Sequence, residues 1–516
     1  MRIWRGIVLI FCVLVLAANS WHHALFPQPT WDDSVYLRIS FIFYDALQDG
    51  LGHFLREFIN AKAMTSPPLI SVFPLPLYFL FGPSERIALW LNDFFLIIGW
   101  MGIYKIGTKL YDEYAGLCVV VATALLPLFY GLSRSYLIET AFVTIVIVSQ
   151  WLLLGFSPQK KLHGVLLGLL AGLGLLTKTV YPLFIIGTVF LLRKKLQEQF
   201  FILLIVACGV ASIWYAFHWE EEFKTLVSAS WGKAALRSGS PDIFSSSVIL
   251  SYLKSLGEIA FSWPYAGVAC GSLTWALKLR QKGTRLDWSE KFLILWFAVP
   301  FGVCLFVVNN QPRYLAAALP AMTLAVGIAV SKILARQVTF FRRFVLGAFI
   351  LIGPLFVFVS QTFGLPSAIA SIAYNGPPRR LGVWNREDVL RIISKDSGGR
   401  PVFVGVNFDY PAFSYINLYC LAALRRYSID FLTLARRPFR LGDQQILDNF
   451  GLDYLIIIRG KLPDRIEPLD ELANSYRSTL EQQIDSGQIP AIKIVDVSQV
   501  DEVMASIYRL LPRKTN

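Results

Sequence analysis

Apolar blocks, most of them about 17 to 25 residues long, recur along the first 363 positions, and no other feature limits the fold so tightly. That is the length a helix needs to cross the hydrocarbon of a bilayer. In lipid every backbone N–H and C=O must be satisfied within the protein, so an apolar block of this length spans as a helix. The blocks read as 7–25, 86–108, 115–132, 138–156, 163–180, 181–193, 200–218, 259–279, 291–308, 313–334 and 343–363. The 181–193 block is short, which leaves its boundary with the preceding one open. The chain is expected to be a polytopic α-helical membrane protein with about eleven spans.

Composition agrees. Charged residues make up 16% of the chain, against about 25% in a soluble domain. The 14 Trp and 39 Phe suit interfacial belts. A formal net charge of +13 would suit a nucleic-acid surface, but the basic residues lie in short runs between apolar blocks, so no nucleic-acid partner is expected. The runs are Lys105 and Lys109; Lys160 and Lys161; Arg193 to Lys195; Lys278, Arg280, Lys282 and Arg285; and Lys332, Arg336, Arg342 and Arg343. With a cytoplasmic N-terminus, every run falls on the cytoplasmic side, as the positive-inside bias requires. The same count places 27–85, 133–137, 219–258 and 309–312 outside.

The first block could be a signal peptide, with Ala17-Ala18-Asn19-Ser20 as a cleavage-like stretch. An uncleaved first helix fits better, because many spans follow. Leu69 to Phe81 is apolar but short and broken by Pro74 and Pro76, which suits an interfacial or re-entrant segment. Five of the six cysteines lie in apolar blocks, and Cys420 alone lies outside them; no metal or disulfide spacing is present. From residue 364 onward the pattern changes. Strand-like runs at Pro401–Val406, Ile429–Leu434, Tyr454–Ile458 and Ile492–Val497 alternate with helical patterns at Asn385–Ile393 and Leu441–Phe450. The expected organisation is a membrane domain over 1–363, with a first outer loop at 27–85, and a small extracytoplasmic α/β domain over 364–516.

Four places could carry chemistry. Asp32 and Asp33 stand in Trp31-Asp32-Asp33-Ser34-Val35-Tyr36 just beyond the first span. A carboxylate near low dielectric suits a general base, and the bland alternative is a helix N-cap or a solvated pair. Arg134 and Glu139 lie in and after the second outer loop. Glu139 opens a span, where an ionisable group is costly and usually functional; the alternative is an acid favoured by the helix dipole. Lys178 lies near the outer end of its span, against the positive-inside bias; it either pairs with an acid, binds an anion or snorkels to the interface. Arg313 and Tyr314 follow Asn309-Asn310-Gln311-Pro312. An arginine there can fork onto phosphate oxygens or onto lipid headgroups. All four places fall at the outer surface, and together they supply an acid to deprotonate an acceptor and cations to stabilise a departing phosphate.

These segments resemble those of the GT-C glycosyltransferases, in the branch of the protein O-mannosyltransferases and lipid A aminoarabinose transferases. Asp32-Asp33-Ser34-Val35-Tyr36 is similar to that branch's Asp-Glu pair before a Tyr-containing helix, with Asp in the second place. Ser66-Pro67-Pro68-Leu69 is similar to its Pro-Pro-Leu element, with Ser66 where a basic residue is usual. Arg134 and Glu139 stand where the family has Arg and then an acid. Gly174-Leu175-Leu176-Thr177-Lys178-Thr179 and Arg313-Tyr314-Leu315, leading to Pro320, resemble two further elements. The resemblance covers about residues 1–335. It implies the GT-C fold and inverting transfer of a sugar from a polyprenyl-phosphate donor, held among membrane lipid, to a protein, lipid or glycan acceptor on the extracytoplasmic face. It implies Asp32 as base, with Asp33 and Glu139 completing the catalytic acids around one site. Arg134, Lys178 and Arg313 would bind the donor phosphate, and Tyr36 and Tyr314 the substrate. Some relatives use a divalent cation and others do not, so no metal ligand is assigned. The competing readings are a polytopic transporter or flippase and a non-catalytic membrane scaffold. Transporters show internal repeats and midplane acids, and here no repeat is evident and the acids lie at the surface.

Overall fold

The computed structural model describes residues 1–25, 29, 31–61, 67–232, 235, 245–278, 287–309, 311–337, 339–363, 384–410, 413–434, 451–460, 480–499 and 503–511. Ser66, Asn310, the basic residues 280–285 and the helical pattern at 441–450 lie outside them. The chain forms two compact units, one of Met1–Pro27, Asp49–Gly82 and Arg86–Arg379, the other of Gln28–Gln48, Pro83–Glu85 and Arg380–Asn516.

The first unit is helical. It begins with α1 (Arg2–Leu25); α2 (Trp31–Gln48) then belongs to the other unit. Short helices α3 (Leu51–Asn60), α4 (Leu69–Val72) and α5 (Leu75–Phe81) precede α6 (Glu85–Leu110). Next come α7 (Glu113–Ala124), α8 (Pro127–Ser133), α9 (Ile138–Leu154), α10 (Lys161–Thr177), α11 (Tyr181–Leu191), α12 (Arg193–Leu196) and α13 (Phe200–Trp231). The unit closes with α14 (Ser246–Ser255), α15 (Trp263–Lys278), α16 (Trp288–Cys304), a 3₁₀ segment Pro312–Ala318, α17 (Leu319–Ala335) and α18 (Phe340–Phe363). Among the described residues, five helical segments are long and apolar enough to cross a membrane, or six if the bent pair α7 and α8 is one span. Shorter apolar helices, α9, α10 and α11 among them, accompany these. The chain is a multi-pass membrane protein.

The break in the 115–132 block has a local cause. Pro127 stands at the start of α8 and cannot continue the hydrogen bonding of α7, so the axis turns by 62°. Small residues allow close helix approach. Gly164, Gly168 and Gly172 form a stripe on α10, and a Cβ on Gly168 would lie 2.7 Å from the Leu203 carbonyl oxygen of α13. Spacing of this kind lets two helix backbones meet in lipid, where van der Waals contact rather than water drives association.

The second unit carries α19 (Arg386–Asp396), α20 (Tyr415–Arg425) and strands β1 (Val402–Val406), β2 (Asp409–Tyr410), β3 (Phe413–Ser414), β4 (Ile429–Thr433), β5 (Tyr454–Arg459), β6 (Ala491–Ser498) and β7 (Met504–Leu510). Five strands pair in the order β4-β1-β5-β7-β6, with β1 parallel to β4 and β5, and β7 antiparallel to β5 and β6. Val404, Val406, Ile456, Ile458 and Ile507 fill one face, against Val389, Leu390 and Ile393 of α19. Strand β7 joins the four strands expected from the sequence, and the small β2–β3 hairpin was likewise not anticipated.

Candidate functional site

In the first unit three charged side chains meet. The chain enters α9 from Leu137 in extended conformation, which puts Glu139 in the first turn, where unpaired backbone N–H groups favour a carboxylate. Its side chain is only 4% exposed. Helix α10 ends at Thr177, and Lys178 leaves it in extended conformation before Pro182 helps to start α11. That exit carries Lys178 Nζ to 3.2 Å from Glu139 Oε1. Pro312 opens the 3₁₀ segment, and Arg313 Nε reaches 4.0 Å from the same oxygen. The pairing expected as one option for Lys178 is therefore present, and its acid is Glu139.

Aromatic rings floor this cluster. The Tyr314 ring lies 5.1 Å from Lys178 Nζ and 5.4 Å from the Arg313 guanidinium carbon. The Phe142 ring lies 5.7 Å from Lys178 Nζ. All three distances suit attraction of a cation to a ring face. Asn309 Nδ2 donates to the Tyr314 hydroxyl at 3.2 Å. Phe142 and Asn309 were not singled out from the sequence. The signal for Phe142 was its place three residues after Glu139, on the same helix face. Two cations share one carboxylate, so the cluster carries a formal charge of +1, counting +1 for Lys178, +1 for Arg313 and −1 for Glu139. Glu139 Oε2 is buried without a hydrogen-bond partner.

Arg134 has a different setting in the same unit. It caps α8, is buried, and donates from Nε to Asn19 Oδ1 at 3.1 Å and from Nη2 to Thr362 Oγ1 at 2.6 Å. Its guanidinium lies over the Tyr130 ring at 4.9 Å. The neighbouring backbone is tied down too, because Asn92 Nδ2 donates to the carbonyls of Ser133 at 3.1 Å and Ser135 at 2.7 Å. Nη1 of Arg134 is buried without a partner.

Asp32, Asp33 and Tyr36 belong to the second unit, on the first two turns of α2. Both acids lie inside the first turn rather than at a capping position, again where the helix dipole favours negative charge. Asp32 is exposed, whereas Asp33 and Tyr36 are buried. Among the described residues no group of three or more His, Cys, Asp or Glu side chains could hold a metal ion.

Comparison with known proteins gives the fold. The family model described as dolichyl-phosphate-mannose-protein mannosyltransferase matches residues 65–217. No curated protein matches the chain in sequence. Among solved structures, ArnT from Cupriavidus metallidurans in the apo state superposes with a TM-score of 0.63 at 13% identity, covering 97% of this chain and 98% of that one. The same protein bound to undecaprenyl phosphate gives 0.60 at 14% identity, with the same coverage. The oligosaccharyltransferase AglB from Archaeoglobus fulgidus, in complex with an inhibitory peptide and a dolichol-phosphate, gives 0.51 at 11% identity over 86% of this chain and 69% of that one. The arabinofuranosyltransferase AftD from Mycobacteria gives 0.55 at 13% identity, over 99% of this chain and 42% of that one. The chain has the GT-C fold, with a small C-terminal α/β domain.

Proposed function

We propose that this protein is an inverting glycosyltransferase that moves a hexosyl or pentosyl group from a polyprenyl-phosphate donor to an acceptor on the extracytoplasmic face. The observation that carries the reading is the cluster of Lys178 and Arg313 on Glu139, with a formal excess of one positive charge, in a GT-C fold. Support comes from the neighbours solved with undecaprenyl phosphate and with a dolichol-phosphate. In this reading the N-terminus is cytoplasmic, residues 1–363 form the membrane domain with about eleven spans, and residues 364–516 form the extracytoplasmic domain.

The chemistry follows from charge. The acceptor attacks the anomeric carbon of the sugar from the face opposite the phosphate. The bond from that carbon to the phosphate oxygen breaks as the new bond forms. The donor is a phosphodiester with one negative charge, and the leaving polyprenyl phosphate carries about two. Cations placed at the phosphate bind the transition state more tightly than the ground state, which is the requirement for rate acceleration. Arg313 offers a planar fork and Lys178 a point charge. Glu139 holds the two cations side by side against their mutual repulsion. Asp32 takes the acceptor proton, Asp33 completes the acidic pair, and Tyr36 and Tyr314 contact substrate.

The test uses purified full-length protein in liposomes with labelled undecaprenyl-phosphate mannose, undecaprenyl-phosphate aminoarabinose and decaprenyl-phosphate arabinose, each with a membrane extract as acceptor source. Release of free polyprenyl phosphate from one donor, abolished by Arg313→Ala, is expected. No release from any donor, in protein that still binds undecaprenyl phosphate, would overturn the transferase reading in favour of a non-catalytic lipid-binding protein.

A further inference from the structure

The second unit joins the C-terminal α/β fold to α2, and one buried amide makes the join at the acidic pair. Asn417, in the first turn of α20, is fully buried. Its Nδ2 donates to the Pro29 carbonyl oxygen at 2.8 Å and to Ser34 Oγ at 2.9 Å. These two acceptors flank Asp32 and Asp33 in sequence, one ahead of α2 and one in its first turn. The amide cannot swing away from them, because Ser414 Oγ donates to Asn417 Oδ1 and so fixes which side of the amide faces α2. Ser414 is itself the N-cap of α20 and accepts from the Asn417 backbone N–H at 3.4 Å, so the staple is built into the start of that helix. Further along α2, the Arg38 guanidinium lies 3.5 Å from the centre of the Tyr419 ring, and Arg426 Nη2 donates to Asp45 at 2.6 Å.

We propose that Asn417 is a positioning residue for the Asp32–Asp33 pair, and that the C-terminal domain is thereby part of the catalytic apparatus rather than an appended module. The inference rests on the reading of Asp32 as the base. A first helical turn has few backbone hydrogen bonds of its own and frays readily. Bridging the residue ahead of the helix to its first turn removes that freedom. It also fixes the rotation of α2, so that Asp33 stays buried while Asp32 points to solvent. A base must lie within hydrogen-bond reach of its proton, and a misplacement of about 1 Å costs on the order of 100-fold in rate.

The experiment compares Asn417→Ala, Ser34→Ala and Asp32→Asn in the full-length protein, with whichever polyprenyl-phosphate sugar the wild type turns over. The expected result for Asn417→Ala is a kcat lower by about 10- to 100-fold with the donor KM within about two-fold. Amide hydrogen exchange over residues 31–36 should rise by about 10-fold or more. Ser34→Ala leaves α20 untouched and should give a smaller fall in kcat with the same KM, so the inference stands or falls even if Asn417→Ala does not fold. A wild-type kcat and unchanged exchange in both variants would overturn it. Loss of donor KM with kcat retained would also overturn it, since that would place the staple at the donor. Asp32→Asn at the wild-type rate would instead sink the base assignment, and the exchange measurement then decides alone whether Asn417 fixes this turn.

Discussion

Replacing Lys178 with methionine takes one cation from the cluster and leaves Glu139 with Arg313 alone, 4.0 Å away. The formal charge of the cluster falls from +1 to 0. Two consequences follow, and they can be separated. A charge-assisted hydrogen bond to the donor phosphate is worth about 1.5–3 kcal/mol, and at about 1.4 kcal/mol per factor of ten the affinity for undecaprenyl phosphate should fall by about 10- to 100-fold. Removing one partner of a buried ion pair costs about 3–5 kcal/mol of stability, and because Arg313 remains nearby the lower end of that range applies. Glu139→Gln reverses the electrostatics, taking the cluster to +2. It should bind undecaprenyl phosphate at least as tightly as wild type while melting lower, since two cations are left face to face. The double variant, Lys178→Met with Glu139→Gln, returns the charge to +1 and should recover most of the lost stability, with an affinity between the two single variants. Affinity measured on protein in nanodiscs, with thermal unfolding run on the same samples, reads both quantities. Wild-type affinity in Lys178→Met would refute the assignment of this cluster to the donor phosphate. Equal loss of affinity in Lys178→Met and Glu139→Gln would show that binding follows the packing of the cluster and not its charge.

Asp32→Asn keeps size and removes basicity, so kcat should fall by about 100- to 10,000-fold with stability unchanged; near-normal turnover would move the role to Asp33 or Glu139. Arg134→Lys separates two readings of that residue. If its guanidinium anchors the 133–137 loop through Asn19 and Thr362, the variant should lose thermal stability with little change in affinity for undecaprenyl phosphate, whereas a loss of affinity at unchanged stability would make Arg134 a phosphate ligand. Reporter fusions after Lys195 and after Arg400 should report cytoplasmic and extracytoplasmic positions respectively, and a cytoplasmic signal from the second breaks the topology. In the α/β fold, burial raises the Asp396 carboxyl, but hydrogen bonds from Arg509 and Tyr454 outweigh it and hold the group below its ordinary range. Its contribution to stability is therefore full above about pH 4, the ordinary carboxyl range, and is lost as pH falls through the depressed value. Asp396→Asn should lower the stability of this domain at neutral pH and leave it nearly unchanged near pH 2, as acid unfolding followed by circular dichroism would show.

The membrane architecture was legible because apolar blocks of spanning length have few other solutions. Most of the helices follow the blocks, although α13 runs on to Trp231 beyond the 200–218 block, and the 115–132 block breaks at Pro127. Lys178 stood out because the expected topology set it against the charge bias, and its partner is Glu139, 39 residues earlier in the chain. What the sequence could not show is which acid answers which cation. Arg134 and Arg313 look alike in the sequence, each an arginine beside an expected outer loop, yet one donates to a neutral amide and a hydroxyl and the other shares a carboxylate. Strand β7 was missed because it takes its place from its neighbours. It runs antiparallel between β5 and β6, and Ala505 and Ile507 are buried in the core that the neighbouring strands share with α19.

The hardest feature to read was the allegiance of α2. Its 18 residues include Asp32, Asp33, Arg38 and Asp45, too many charges for a lipid-facing helix. Yet Leu37, Phe41 and Tyr44, on one face at i, i+4 and i+7, are buried, so that face must be covered by protein. The cover is α20, a helix not singled out from the sequence. Asn417 is neutral, has no motif around it, and becomes meaningful only because its amide meets Ser34 across 383 positions of chain. Buried polar groups must be paired, so an asparagine with no exposure is a demand for partners. The sequence states that demand without saying where it is met. The acids that the sequence marks as chemical thus take their orientation from a domain that the sequence marks only as α/β.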